Sequence, residues 1–511
     1  MSLPIIEELL KKYENNDYIK KMLINKINNL PKILEEADFI YEQKKKKYDL
    51  IKKEQEMFIN LFLSNNHYYY LSNQNKYYEY NGTNYYCIEE DDIIVQILSM
   101  LSKNALLISY KYKTKTMIIK KIKENCLLHS IPETTTIQNI LQFLFPFLFS
   151  TENEAKYFLT VLGNILLKNN ERYFLISSDT KKIINTIDTF ISKIIGSSFL
   201  YKFFFTKMNA SRSKSEYRLL RMNTINIDLL KTNLKNVCLD LLCVSCFYSK
   251  MYQSSDNFIE KYGDEYLQNY SLLLKQNTEE DIINYFINRN IENNETHKLS
   301  WNNIHYIWKR YLDKNNYPVL MTSIQLKEIL KSKIEYNEET DIFQGITSKY
   351  IPYINQFLDF WDNTITDGDN NLEIEEFKQI YKYWYNKNNC ANSIKEKNIL
   401  NIISHFYPNI IIDNKFIYHV ECTLWNKNTE INKVFNLYKT EFNTKVENKE
   451  IMLLYLIPLH EIYQYYMEHI TELNKEFDII INKKYFIQYL INNNQKYIKY
   501  DKFMSGDFIN E

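Results

Sequence analysis

Seven glycines in 511 residues constrain what this chain can fold into more than any other feature. Turns that need φ > 0, and backbone that must approach a cofactor closely, fall most readily to glycine. Folds built on repeated glycine turns, dinucleotide-binding sheets among them, are therefore not expected. Eight prolines accompany the glycines, whereas tyrosine alone fills 44 positions. The favoured residues (Ile, Lys, Asn, Tyr and Phe) have A/T-rich codons. The bias belongs to the genome, and an aromatic run carries little weight by itself.

Sixty-three basic residues offset sixty-three acidic ones, so the formal net charge is zero. A general polyanion-attracting field is excluded, and affinity for nucleic acid has to come from a local patch. Hydrophobic residues at 45% and charged residues at 25% give the balance of a globular protein. The length suggests roughly three or four domains. Seven cysteines lack framework spacing, which points to reduced thiols inside a cell. The opening MSLPIIEELLKK turns charged at once, so a secretory leader is not expected. No apolar run reaches the length of a spanning helix. The longest, FLFPFLF (143–149), contains Pro146 and reads as core.

Five segments follow from the pattern. Residues 1–62 repeat apolar positions near a period of 3.6, giving two or three amphipathic helices with Pro31 at a boundary. Residues 63–150 open with HYYYL, KYYEYN and NYYCI (67–88), a small antiparallel meander turned by Asn81-Gly82-Thr83. EEDDIIVQILSMLS then starts a helix. A short strand near 105, the basic segment YKYKTKTMIIKKIK (110–123) as a strand, and a helix follow. That helix starts either at a Ser130–Glu133 capping box or at Thr134–Thr136. Residues 151–255 give an amphipathic helix (151–170), a strand, and a helix closed by Gly196. Residues 256–403 look helical, with RNIENNETHK (289–298) as a flexible connector. Residues 404–511 hold two short strands within 405–425, a hairpin near 477–488, and a helix–strand pattern that is winged-helix-like.

FLISSDTKKIINTI (174–187) has the strand, polar turn and helix order of a phosphate-binding loop, but without glycine. With its flanks it forms FLTVLGNILLKNNERYFLISSDTKKIINTIDTFISKIIG (158–196). That string resembles the entry to the ATPase core of superfamily 3 helicases, in particular the poxvirus-type primase-helicase family of large and giant DNA viruses. The Tyr-rich meander and following helix (67–100) are similar to the domain that precedes this core. Residues 301–361, from WNNIHYIWKRYL onward, look like the helical part that follows it. The resemblance as a whole extends over about two thirds of the chain, and these three segments are the parts that carry it.

The resemblance implies a mostly α, multidomain protein with small β elements, its degenerate ATPase-like α/β core flanked by helical domains. It also implies a viral protein of the host-cell cytoplasm (viral factory) or virion. Single-stranded DNA or RNA and other viral replication or expression proteins would be its partners, with oligomers among its states. Where an active member carries Gly-Lys-Ser/Thr, this chain has Ser178, Asp179, Thr180, Lys181 and Lys182, and no glycine anywhere precedes a lysine. Asp179 adds negative charge where polyphosphate would sit. ATP and magnesium are expected only in the alternative of an active helicase with an irregular loop. Lys181 and Lys182 would then meet phosphate, and Asp228 or Asp240, ending a strand, would hold the metal.

Two basic patches are the nucleic-acid candidates. In the first, Lys111, Lys113, Lys115, Lys120, Lys121 and Lys123 lie beside Tyr110 and Tyr112. Strand alternation at 111, 113 and 115 would line up three ammonium groups for phosphates, and the tyrosines would stack on bases. The bland reading is a solvated edge strand. The second comprises Lys202, Lys207, Arg212, Lys214, Arg218 and Arg221 around the loop NASRSKS (209–215). The resemblance places such a loop against the translocated strand; an ordinary surface is the alternative.

No metal site is expected. Cys238, Cys243 and Cys246 have no histidine nearby and read as core. In DGDNNLEIEEF (367–377) the sixth position of a calcium loop would be Leu372 and the twelfth Lys378, which does not suit calcium. No catalytic residue is assigned. The expected function is a non-catalytic, replication-associated nucleic-acid-binding or assembly protein, against the alternatives of an active ATP-dependent helicase or a protein–protein scaffold in viral transcription or translation.

Overall fold

The computed structural model describes residues 3–170, 172–209, 211–368, 371–388, 396–413, 415–448, 456–470 and 479–510. It is mostly helical with small sheets. Two compact units emerge, one of Met1–Thr278 with Asp313–Thr322, the other of Glu279–Leu312 with Ser323–Glu511.

The first unit opens with α1 (Leu3–Lys12) and α2 (Asp17–Asn65). Asn16 caps α2, its side chain accepting the Ile19 N–H at 3.2 Å. The expected break at Pro31 does not occur, and α2 runs through it. Leu23, Ile27 and Leu30 before the proline and Leu34 and Ala37 after it keep one phase. The ring removes a single backbone donor from a 49-residue helix. The strands β1 (His67–Leu71), β2 (Lys76–Tyr80) and β3 (Tyr85–Ile88) form the expected antiparallel meander. Gly82 takes φ 91° in its turn.

Next come α3 (Glu90–Leu101), with three acids in its first turn, and α4 (Lys111–Glu124). α4 corrects the expectation of a strand over 110–123, and residues 108–110 form a 3₁₀ turn where a strand was expected near 105. The surface lysines alternate, but the residues that leave water do not. Thr114, Ile118 and Ile122 recur every fourth residue and are buried, and Ile118, Ile119 and Ile122 join the cluster of Ile51, Ile59 and Phe62. Burial of isoleucine outweighs a surface alternation that gains nothing from a sheet. α5 (Thr134–Leu144) uses the later of its two candidate starts.

A parallel sheet then sits among long helices. α6 (Glu152–Leu166) starts at a Thr151–Glu154 capping box. β4 (Tyr173–Leu175), α7 (Ser178–Ile195), β5 (Phe204–Phe205) and β6 (Tyr217–Leu219) follow, in sheet order β5-β4-β6. Gly196 ends α7 at φ 90°, as the sequence suggested. α8 (Ile227–Tyr252), α9 (Ser255–Tyr262), α10 (Glu265–Ser271) and α11 (Leu273–Gln276) complete the layer. α6 and α8 meet at Gly163, where a Cβ would stand 1.9 Å from the Ser245 carbonyl oxygen. Only glycine lets the two backbones touch.

The second unit contains α12 (Glu279–Asn290), β7 (Glu292–Ser300), α13 (Trp301–Lys314), α14 (Ser323–Lys331), β8 (Tyr336–Asn337) and β9 (Ile342–Thr347). α13 contributes its last two residues to the first unit. The expected connector at 289–298 is largely β7, paired with β9 around a bulge between Asn293 and Lys298. As the edge of a β7-β9-β8 sheet it buries only Leu299, so it shows no apolar alternation. α15 (Ile351–Thr364), β10 (Ile365–Asp367), β11 (Leu372–Glu373), α16 (Ile374–Lys387) and α17 (Glu396–Phe406) lead to β12 (Phe416–Ile417) and β13 (Val420–Cys422). These last two are the strands expected within 405–425.

The chain closes with α18 (Lys427–Glu447), β14 (Leu456–Pro458), α19 (Leu459–His469), α20 (Lys483–Asn493), β15 (Ile498–Lys499) and β16 (Phe503–Ser505). The hairpin expected near 477–488 is corrected: residues 483–493 are helical, residues 477 and 478 lie outside the described residues, and the hairpin is β15–β16. Among the described residues no helix is long and apolar enough to cross a membrane.

Candidate functional site

The joint between β4 and α7 is two residues long, Ile176 and Ser177. Both are committed. The Ile176 N–H donates to Phe205 O at 2.9 Å, and Ser177 Oγ accepts the Thr180 N–H at 3.1 Å as the cap of α7. A phosphate loop needs several consecutive N–H groups turned inward around an anion, and a two-residue joint that passes straight from β4 into α7 is too short to curve around one. Lys181 Nζ donates to Phe204 O at 2.5 Å, and burial lowers its pKa while Asp188 raises it less. Lys182 pairs with Asp179 at 2.9 Å.

The acids expected to end a strand are both on α8. Asp228 lies in its first turn, exposed and paired with Lys231 at 3.0 Å. Asp240 is buried in mid-helix, accepting the Tyr85 N–H and Asn84 Nδ2, each at 2.7 Å. Burial pushes its carboxyl up, and those two bonds offset part of the rise. It anchors the meander. The Asn226 cap and the apolar run Leu230, Leu234, Leu241 make this segment helical rather than extended. Lys181, Lys182 and Asp228 therefore do not converge, and the residues present do not fit magnesium and ATP.

The second basic patch splits by depth. Arg218 is 1% exposed and grips Asp256 with Nε at 2.8 Å and Nη2 at 2.7 Å, while Nη1 donates to Ser215 O and Tyr217 O. Arg172 reaches the same carboxylate at 3.0 Å. Burial raises the Asp256 pKa, but hydrogen bonds and charge from the two arginines outweigh it and hold the carboxyl below its usual range. Arg221 pairs with Glu154 at 2.6 Å and lies 4.4 Å and 5.0 Å from the Tyr266 and Tyr270 ring centroids. These two arginines fasten the sheet edge to α9 and α6. Lys202 and Lys207 stay exposed, Lys214 is half-buried, and Arg212 stacks 3.6 Å from the Tyr173 centroid.

On α4 the lysines do not form one row. At about 100° per residue, Lys113 points roughly 160° away from Lys111 and Lys115. Lys111 and Lys115 are half-buried; Lys113, Lys120, Lys121 and Lys123 are exposed. Lys113 and Lys120 share a stripe with Met117, and Lys121 Nζ is 3.3 Å from Asn60 Oδ1. Lys123 lies over Tyr70 and Tyr77 at 5.7 Å and 5.8 Å. Tyr112 is exposed, and Tyr110 is 38% exposed.

A site that residue reading did not single out lies at the C-terminus. The order α18-β14-α19-α20-β15-β16, with an antiparallel sheet ordered β14-β16-β15, packs around Ile457, Ile462, Tyr466, Phe486, Leu490 and Met504. Phe486 and Leu490 turn inward, so Lys484, Gln488 and Asn492 form the outer face of α20 at every fourth residue. Asn432 Nδ2 donates to Tyr489 OH at 3.0 Å and Tyr485 OH to Asn428 Oδ1 at 2.9 Å, fixing α20 on α18. The β15–β16 tip holds Tyr500 at φ 57° and Asp501 at φ 53°, the geometry of a type I′ turn. Tyr500 is 84% exposed, and Lys496, Lys499 and Lys502 are exposed around it. Tyr-Asp is not the usual signal for that turn, and α20 before it lies where the sequence suggested a hairpin.

Cys238, Cys243 and Cys246 are buried on α8, and burial pushes the Cys238 and Cys246 thiols up to about 12. Glu373 and Glu376 form a capping box on α16, with Glu376 paired to Lys427. Among the described residues no group of three or more His, Cys, Asp or Glu could hold a metal ion. No family model matches the chain, and no curated protein matches it.

Proposed function

We propose that the chain is a non-catalytic, replication-associated nucleic-acid-binding and assembly protein derived from a viral primase-helicase. The observation that carries this reading is the C-terminal order α18-β14-α19-α20-β15-β16 with its β14-β16-β15 sheet, which suits a winged-helix-like unit. It offers Lys484, Gln488 and Asn492 on one exposed helix face, along with a β15–β16 tip bearing Lys499, Tyr500 and Lys502. A helix with that face suits a major groove, where Gln and Asn pair with adenine edges and lysine meets guanine or phosphate. The wing lysines suit the phosphate backbone. The exposed α4 lysines Lys113, Lys120 and Lys121 suit a second contact to a single strand. The two-residue β4–α7 joint supports a role that does not consume ATP. Host-cell cytoplasm or virion is the setting this reading implies, with other viral replication or expression proteins as partners.

The test is anisotropy of a short labelled duplex with the full chain at several salt concentrations. Lys499→Glu with Lys502→Glu should weaken binding severalfold and flatten the salt slope by about 2, near 0.9 per lost phosphate contact. Unchanged affinity and slope would remove the C-terminal unit from the reading. Absence of any oligonucleotide binding at low salt would favour the pure protein–protein scaffold.

A further inference from the structure

We infer that α2 is a self-association helix, pairing in parallel with α2 of a second copy of this chain. The inference stands apart from the nucleic-acid reading. Between Leu23 and Phe62 a three–four repeat runs through Leu23, Ile27, Leu30, Leu34, Ala37, Tyr41, Lys44, Tyr48, Ile51, Gln55, Phe58 and Phe62. Ten of those twelve positions are apolar or aromatic, and a repeat of 3.5 marks a helix whose partner is another helix.

The C-terminal third of this seam is already an interface. Ile51, Gln55 and Phe62 are buried, Phe58 packs on the same cluster, and Gln55 Nε2 donates to Thr114 Oγ1 of α4 at 2.9 Å. Upstream the same seam continues, half-buried at Leu23 and Ile27 and, among the described residues, left exposed from Leu30 to Tyr48. Leu30 is 44% exposed, Leu34 59%, Tyr41 62% and Tyr48 61%, flanked by Ile33 and Ile40 at 51% each. No residue of α2 before Ile51 is buried.

A second copy suits this face. From Asp17 to Leu50 the helix runs about 50 Å, and a third of its accessible surface on each of two copies is on the order of 1,300 Å². That lies within the roughly 1,200–2,000 Å² of stable interfaces. In a parallel pair each seam residue meets its own equivalent, so every layer but Lys44 is apolar. The flanking pairs are neutral (Ile33 with Asp38, Ile40 with Lys45) until Lys47 faces Lys52. There the four lysines Lys44–Lys47 repel, and each copy's Ile51 turns into its own core. The seam therefore ends where the copies must diverge. Antiparallel pairing of the same free segment, at the offset that matches its seam residues, sets Ile27 against Lys44 twice and leaves the lysine cluster unpaired.

Sedimentation velocity of the full chain at micromolar concentration should show a dimer. Leu30→Glu with Leu34→Glu should make it monomeric with an unchanged circular dichroism spectrum, because both side chains are exposed in the protomer. Phe39→Glu, off the seam, should leave the dimer intact. Leu34→Cys should form an intermolecular disulfide under mild oxidant that the unsubstituted chain does not form. A monomeric native chain, or a dimer that survives the double substitution, overturns the pairing. A dimer without the 34–34 cross-link overturns the parallel arrangement.

Discussion

Replacing Asp256 with asparagine probes the buried pair that removes Arg218 from the surface. The guanidinium is 1% exposed and has two donors on this carboxylate, at 2.8 Å and 2.7 Å. Removing one partner of a buried pair costs about 3–5 kcal/mol, because the remaining charge stays out of water. Asparagine keeps one acceptor oxygen, so the lower end, about 3 kcal/mol, is expected. At roughly 2–4 °C per kcal/mol for a unit of this size, Tm falls by about 6–12 °C. Asp256 titrates below its usual range when folded. Its contribution is thus present above the unfolded value of about 3.9 and is lost as pH falls through the folded one. Asp256→Asn should flatten that acid limb. Far-UV circular dichroism is the assay, since all five tryptophans fall in the second unit and emission reports there. A Tm within about 1 °C of the native chain would refute the reasoning. So would Arg218→Gln that weakens oligonucleotide binding while leaving stability intact.

Gly163→Ala should cost about 3 kcal/mol or more, the upper end for overpacking, since its Cβ would enter the Ser245 backbone; an unchanged urea midpoint would contradict the α6–α8 contact. Reversing Lys113, Lys120 and Lys121 to glutamate should lower the single-strand salt slope by about 2, near 0.7 per contact. Lys111→Glu with Lys115→Glu should destabilise the fold instead, seen as a lower Tm, because those two are half-buried.

Local signals in the sequence were the ones that could be read. The amphipathic pattern from residue 151 gave α6, and Gly196 closed α7 because a C-terminal cap is settled within a few residues. Asn81-Gly82 likewise fixed the meander. What depends on distant partners was hidden. The alternating lysines of α4 masked a four-residue burial pattern that only the α2 cluster makes worthwhile. β7 looked like a linker because an edge strand need not alternate. Arg218 and Arg221 counted as surface charge until Asp256 and Glu154, 38 and 67 residues away in the chain, came to meet them. The strand–helix order at 173–195 was legible, while its two-residue joint needed the backbone itself.

The affinity of the full chain for a labelled duplex, measured with and without magnesium and ATP, bears on the central claim most directly. Salt-dependent binding that is the same in both conditions, and weakened by Lys499→Glu with Lys502→Glu, is the expected result. Absence of binding, or an affinity that responds to ATP and loses the response on Lys181→Ala, would contradict it.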